Sequence, residues 1–100
     1  MPAGAACQAV RNQGYASCAD ICDAVAAWPT SGENVKSEDI VACCIEIKGK
    51  PTSKLPPYIS ALVDEITPGD APRTATAPAD AAKCYQMWAD HLSSKGIGVD

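Results

Sequence analysis

Six cysteines in one hundred residues constrain this chain more than any other feature. They are Cys7, Cys18, Cys22, Cys43, Cys44 and Cys84. An even, dense set in a short chain reads as a disulfide framework made in an oxidising compartment. The composition shows why such a framework is needed. Only sixteen residues are Leu, Ile or Val, and Phe is absent. Globular chains usually carry at least about 20% of these types. A domain of this length buries about 60–70% of its unfolded surface, and alanine, the commonest residue here, adds little area to that. Oxidised sulfur is expected to do part of the holding.

Six cysteines allow about 15 pairings, and sequence alone does not choose among them. Geometry narrows the field. Cys18 and Cys22 stand one helical turn apart, so both can reach neighbouring elements. Cys43 and Cys44 point about 100° apart on a helix, or to opposite faces on a strand. A bond between them would need a distorted peptide. They are therefore expected to bond to two of Cys7, Cys18, Cys22 and Cys84. Cys84 must find a partner about forty or more positions upstream, a closure that stabilises by about 4 kcal/mol in the chain-entropy description. A metal site is the weaker reading. Zinc knuckles place two residues between cysteines, whereas Cys18 and Cys22 have three between them, and the chain holds a single His. The cysteine order shares the three-residue interval with odorant-binding proteins and an adjacent pair with plant lipid-transfer proteins. It lacks the other intervals of the first and two cysteines of the second, and assigns the chain to neither.

The expected fold is all-α: a small disulfide-stapled bundle of four main helices near 17–28, 37–48, 57–67 and 78–95, in a single domain spanning 1–100. A short helix over 4–13 precedes them, ending at Gly14. Ser17 is a good N-cap, Cys18, Ile21, Cys22 and Val25 share one helical face, and Pro29 should stop that helix. Segment 37–48 is ambiguous. As a helix it has Ser37 as cap, Glu38 and Asp39 in the first turn, Lys48 in the last and Gly49 beyond. As a strand, Val41, Cys43, Ile45 and Ile47 alternate inward. The two-ended capping favours helix; the alternative is an α+β sandwich with 40–48 as a central strand paired to the C-terminal Ile97-Gly98-Val99. Pro56 and Pro57 open the next helix, with Tyr58, Ile59, Leu62, Val63 and Ile66 inward. Residues 67–78 read as a mobile surface loop. The last helix starts near Pro78 with Asp80 in its first turn, and lines Cys84, Tyr85, Trp88, His91 and Leu92 along one side.

No constellation for catalysis emerges. Cys84 and His91 lie two turns apart, about 10 Å along a helix axis, too far for a nucleophile–base hydrogen bond. The acidic neighbours Asp20 with Asp23, and Asp64 with Glu65, read as solvated helix faces. Gly49-Lys50 lacks the earlier glycine of a phosphate loop. No metal or cofactor is expected, and no enzymatic activity. A net charge of −4 with only two Arg argues against a nucleic-acid partner, and no apolar run reaches the roughly 18 residues of a membrane span.

The remaining expectation is a secreted, non-enzymatic binding protein, effector-, toxin- or elicitor-like, with an unknown protein or cell-surface target and monomeric by itself. Lys48, Lys50 and Lys54, with Trp28 and Tyr58, are its expected contact surface. Residues 1–16 contain no apolar leader after a basic start, so the expectation is a mature chain whose leader has been removed. Two alternatives stand beside it: a small carrier of an apolar ligand such as a lipid, and an intracellular thiol protein, redox-active or metal-binding.

Overall fold

The computed structural model describes residues 3–66 and 75–100. Among these residues the fold is all-α. Five helices follow one another: α1 (Ala3–Asn12), α2 (Ala16–Ser31), α3 (Ser37–Ile47), α4 (Pro57–Glu65) and α5 (Ala81–Ser94), with a 3-10 turn at Thr52–Lys54. Two isolated bridges, Val35 to Val99 and Pro51 to Thr76, are the β pairing present among them.

The three disulfides join the helices in series. Cys7–Cys22 ties α1 to α2, Cys18–Cys43 ties α2 to α3, and Cys44–Cys84 ties α3 to α5. No cysteine is left free. The adjacent pair does bond in two directions, and Cys84 reaches back forty positions. On α3, residues Ile40, Cys43, Cys44 and Ile47 are all buried, so the staples run through the core itself. Around them pack Val10, Ile21, Ile59, Val63, Leu92 and a fully enclosed Trp88. Helix α4 carries no cysteine and is held by packing, with Ile59, Leu62 and Val63 buried.

Segment 37–48 is a helix, which removes the strand alternative. The C-terminal tail does pair, but with the residues before α3. Val35 N–H donates to Gly98 O at 3.0 Å, Asp100 N–H to Val35 O at 2.9 Å, and Ser37 N–H to Asp100 O at 3.2 Å. The last of these satisfies a donor that α3 would otherwise leave exposed at its start, at the end where the Ser37 side chain was expected to cap. Lys36 is the N-cap instead, with no side-chain bond.

Helix α2 departs furthest from expectation. Tyr15, not Ser17, is its N-cap, and it has no side-chain cap bond. The orphan donors are taken by Glu46 of α3: Ser17 N–H lies 3.0 and 3.1 Å from its two oxygens and Cys18 N–H 3.1 Å from one of them. A carboxylate from another helix thus caps α2, where its macrodipole also favours negative charge. At the other end Pro29 sits inside the helix, which runs on to Ser31. Proline forfeits one bond to the preceding turn, but Gly32, left-handed at φ 64°, donates to Trp28 O and closes the end beyond it.

The last helix begins at Ala81, later than expected, because Asp80 is its N-cap: Oδ1 accepts from Ala82 N–H at 2.8 Å and Lys83 N–H at 3.2 Å. Of the segment expected to be a mobile loop, 67–74 lie outside the described residues. Ala75 and Ala77 are buried and bonded to the Lys50–Thr52 backbone, with Thr52 N–H donating to Ala75 O and Ala77 N–H to Lys50 O, both at 2.9 Å.

Replacing Glu46 by Gln should lower stability by about 1 kcal/mol, the usual loss at a helix cap, or a melting temperature about 4–8 °C lower. An unchanged melting curve would show that the cap contributes nothing. Among paired Cys→Ala variants, removal of Cys44–Cys84 should cost more than removal of Cys7–Cys22, because it opens a forty-residue rather than a fifteen-residue closure. Urea midpoints of the two variants make the comparison.

Candidate functional site

Helix α3 turns one face inward and leaves an apolar pair on the other. Ile45 is 71% exposed and Val41 50%. Enclosing such a side chain is worth about 1.5–3 kcal/mol, so a chain short of large apolar residues forgoes a good deal by presenting two of them to water. They stand one turn apart on one face, between exposed Glu38 and exposed Lys48.

Beside them runs a groove of about 200 Å³, bounded by Val41, Ile45 and Lys48 on one side and by Pro78, Ala81 and Tyr85 on the other, with Cys44 also in its wall. Each wall has a physical anchor. Cys43 and Cys44 clamp α3 to α2 and α5. Asp80 caps the start of α5. The bonds between 50–52 and 75–77 hold the chain just before Pro78.

The expected contact residues stand in different settings. Lys48 lines this groove. Lys50 places its Nζ 4.8 Å from the Tyr15 ring centroid, a cation–π contact. Lys54 is exposed in the 3-10 turn. Trp28 is half-buried against the core. Tyr58 is half-buried too, and lines a different groove of about 110 Å³ with Ala6, Cys7, Cys22, Val25 and Ala26. Val41, Ile45, Pro78 and Tyr85 were not among the expected contact residues. The signal for Ile45 was present: on a helical reading it falls off the face shared by Ile40, Cys44 and Ile47.

His91 has a defined place. Its ring lies edge-on to Tyr58 and Trp88, both centroids 6.0 Å away, and Nε2 is 3.1 Å from the Tyr58 hydroxyl. A neutral imidazole protonated on Nδ1 accepts that O–H. Burial lowers the His91 pKa below its ordinary 6.5, Lys95 lowers it further, and Glu65 opposes both. Burial also pushes the Tyr58 hydroxyl up to about 12, so it keeps its proton. Cys84 is bonded to Cys44 and is no nucleophile for His91.

The Sγ atoms of Cys18 and Cys43 and a Glu46 oxygen all lie within 4.8 Å of one another, a metal-like cluster. Both sulfurs are spent on their mutual bond, and the carboxylate on the α2 cap. A third groove of about 260 Å³ is lined by Ile66 and Met87 with the mixed polar residues Lys83, Gln86 and Asp90. All three grooves are smaller than the roughly 300–1,000 Å³ of sites that enclose small ligands. Among the described residues, no helix is long and apolar enough to cross a membrane. Neither a family model, nor a curated protein, nor a solved structure matches the chain.

Because the folded state holds His91 below its unfolded pKa, its stabilising effect is complete above about pH 6.5 and declines as pH falls toward the lower folded value. Melting temperature should therefore drop between pH 7 and pH 5, and His91→Asn should flatten that part of the profile. An equally steep drop in the variant would remove His91 as the cause.

Proposed function

We propose that this is an extracellular, non-catalytic binding protein whose contact surface is the outer face of α3 with the adjoining α5 groove. One observation carries the reading: the helix that exposes the apolar pair Val41 and Ile45 is clamped from two directions, to α2 through Cys43 and to α5 through Cys44. A rigid apolar surface loses little conformational freedom on binding, which is where much of the cost of association lies. Binding by a surface is favoured over enclosure of a lipid, because Trp88, Ile21, Ile40, Ile47, Ile59 and Leu92 fill the interior. Export is supported by the three disulfides, which a reducing cytosol would not preserve.

The residues of this surface should be dispensable for folding. Ile45→Asp should leave the melting temperature within a few degrees of the native value. A diazirine-bearing side chain at Ala81, in the groove wall, should give a discrete adduct with a partner at an intact cell surface or in extracellular fluid. Unlabelled native protein should compete it away and Ile45→Asp should not, while the same label at Gln8 on α1 gives none. No adduct at Ala81, or one that Ile45→Asp competes equally well, overturns the reading.

A further inference from the structure

The exposed stripe of α3 is palindromic. Glu38, Val41 and Ile45 on α3 and its C-cap residue Lys48 are spaced three, four and three, all four are exposed, and helical spacing sets them within about 80° of arc around the axis. Such spacing forms the seam of a two-helix pairing. Laid against an antiparallel copy of itself about a two-fold axis, the stripe matches end to end: Val41 meets Ile45, and Glu38 meets Lys48 at both ends. A parallel copy would set Glu38 on Glu38 and Lys48 on Lys48. Among the described residues neither Glu38 nor Lys48 has an ion-pair partner within the chain; the ion pairs there join Arg11 to Asp20 and Asp23. The other lysine at that end of α3, Lys50, is occupied on Tyr15.

We infer that the partner of this surface is a second copy of the chain, docked antiparallel, α3 on α3, in an isologous dimer. The inference rests on the reading of this face as a binding surface and names its occupant. Each chain buries its own core without help, so the association is reversible. A four-residue seam with its adjoining groove falls short of the roughly 800 Å² per partner of stable complexes, which puts the dissociation constant at roughly 10–1,000 μM. The two ends carry opposite charge in each copy, so charge sets the register and the direction, while Val41 and Ile45 supply the apolar contact.

Sedimentation velocity on the oxidised full chain from about 10 μM to 1 mM tests this. The native protein should shift from monomer toward dimer across that range, and Ile45→Asp should stay monomeric throughout. Glu38→Lys and Lys48→Glu should each weaken association at least about tenfold, since each breaks two symmetry-related pairs at once. The double variant Glu38→Lys/Lys48→Glu should return to within about threefold of native, because every pair is re-formed with its signs exchanged. Circular dichroism of each variant, with disulfides intact, separates lost association from lost fold. A native chain monomeric at the top concentration, a dimer that survives Ile45→Asp, or a double reversal that fails to restore association overturns the inference. The Ala81 label separates this from failure of the underlying reading: labelled chain in buffer at about 1 mM should give an adduct of twice the chain's mass, which added native chain joins and does not compete away, whereas no such adduct there but an Ile45-dependent adduct of another mass at a cell surface sinks the dimer and keeps the binding surface, and no adduct in either setting sinks both.

Discussion

Two consecutive residues, Cys43 and Cys44, hold the structure together. Neighbouring side chains on a helix diverge by about 100°, so one sulfur reaches α2 and the next reaches α5. Helix α3 thereby becomes the member to which α2 and α5 are fastened directly and α1, through Cys7–Cys22, at one remove, while α4 is held by packing. Crosslinks of these spans remove on the order of 3–4 kcal/mol each of unfolded-state freedom, a large share for a domain whose net stability is typically about 5–15 kcal/mol. A greasy interior drawn from only sixteen branched aliphatic residues in the chain, some of them exposed, need then supply only the remainder.

The same helix organises its neighbours by polar means. Glu46 reaches across to the bare start of α2, and the C-terminal tail lies against the chain just before α3. Both arrangements satisfy backbone groups that local side chains could have served. They make the bundle cooperative, since α2 loses its cap if α3 shifts. They also leave the outer face of α3 with no structural duty, and that is where Val41 and Ile45 stand in water. A rigid helix with an unburied apolar stripe, flanked by one acid and one base, is the feature on which the proposed binding role rests.

Much of this was legible in the residues. The period of 40, 43, 44 and 47 marks the buried side of α3, and Pro57, Gly14 and Gly49 sit at or just beyond helix ends as their backbone preferences demand. The divergent bonding of Cys43 and Cys44 followed from geometry alone. Ser17 misled because a good capping residue was in the right place, yet a carboxylate twenty-nine positions away took its role. Pro29 misled because a proline near a helix end loses a single bond, and the left-handed Gly32 could still close the turn after it. The exposed apolar face proposed as a contact surface was the least legible part. Lysines and aromatics drew the eye by type, but Tyr58 faces His91 and Lys50 faces Tyr15.

The order of amino acids by itself determined that this chain is helical, that its apolar supply is thin, and that its cysteines must carry load, because periodicity, composition and the span of adjacent side chains are local or additive properties. Which sulfurs meet, which carboxylate closes α2, where the tail lies and which greasy residues are left outside were decided only by the packed structure. Each of these depends on distances between elements far apart in the chain, and such distances exist only once the helices have come together.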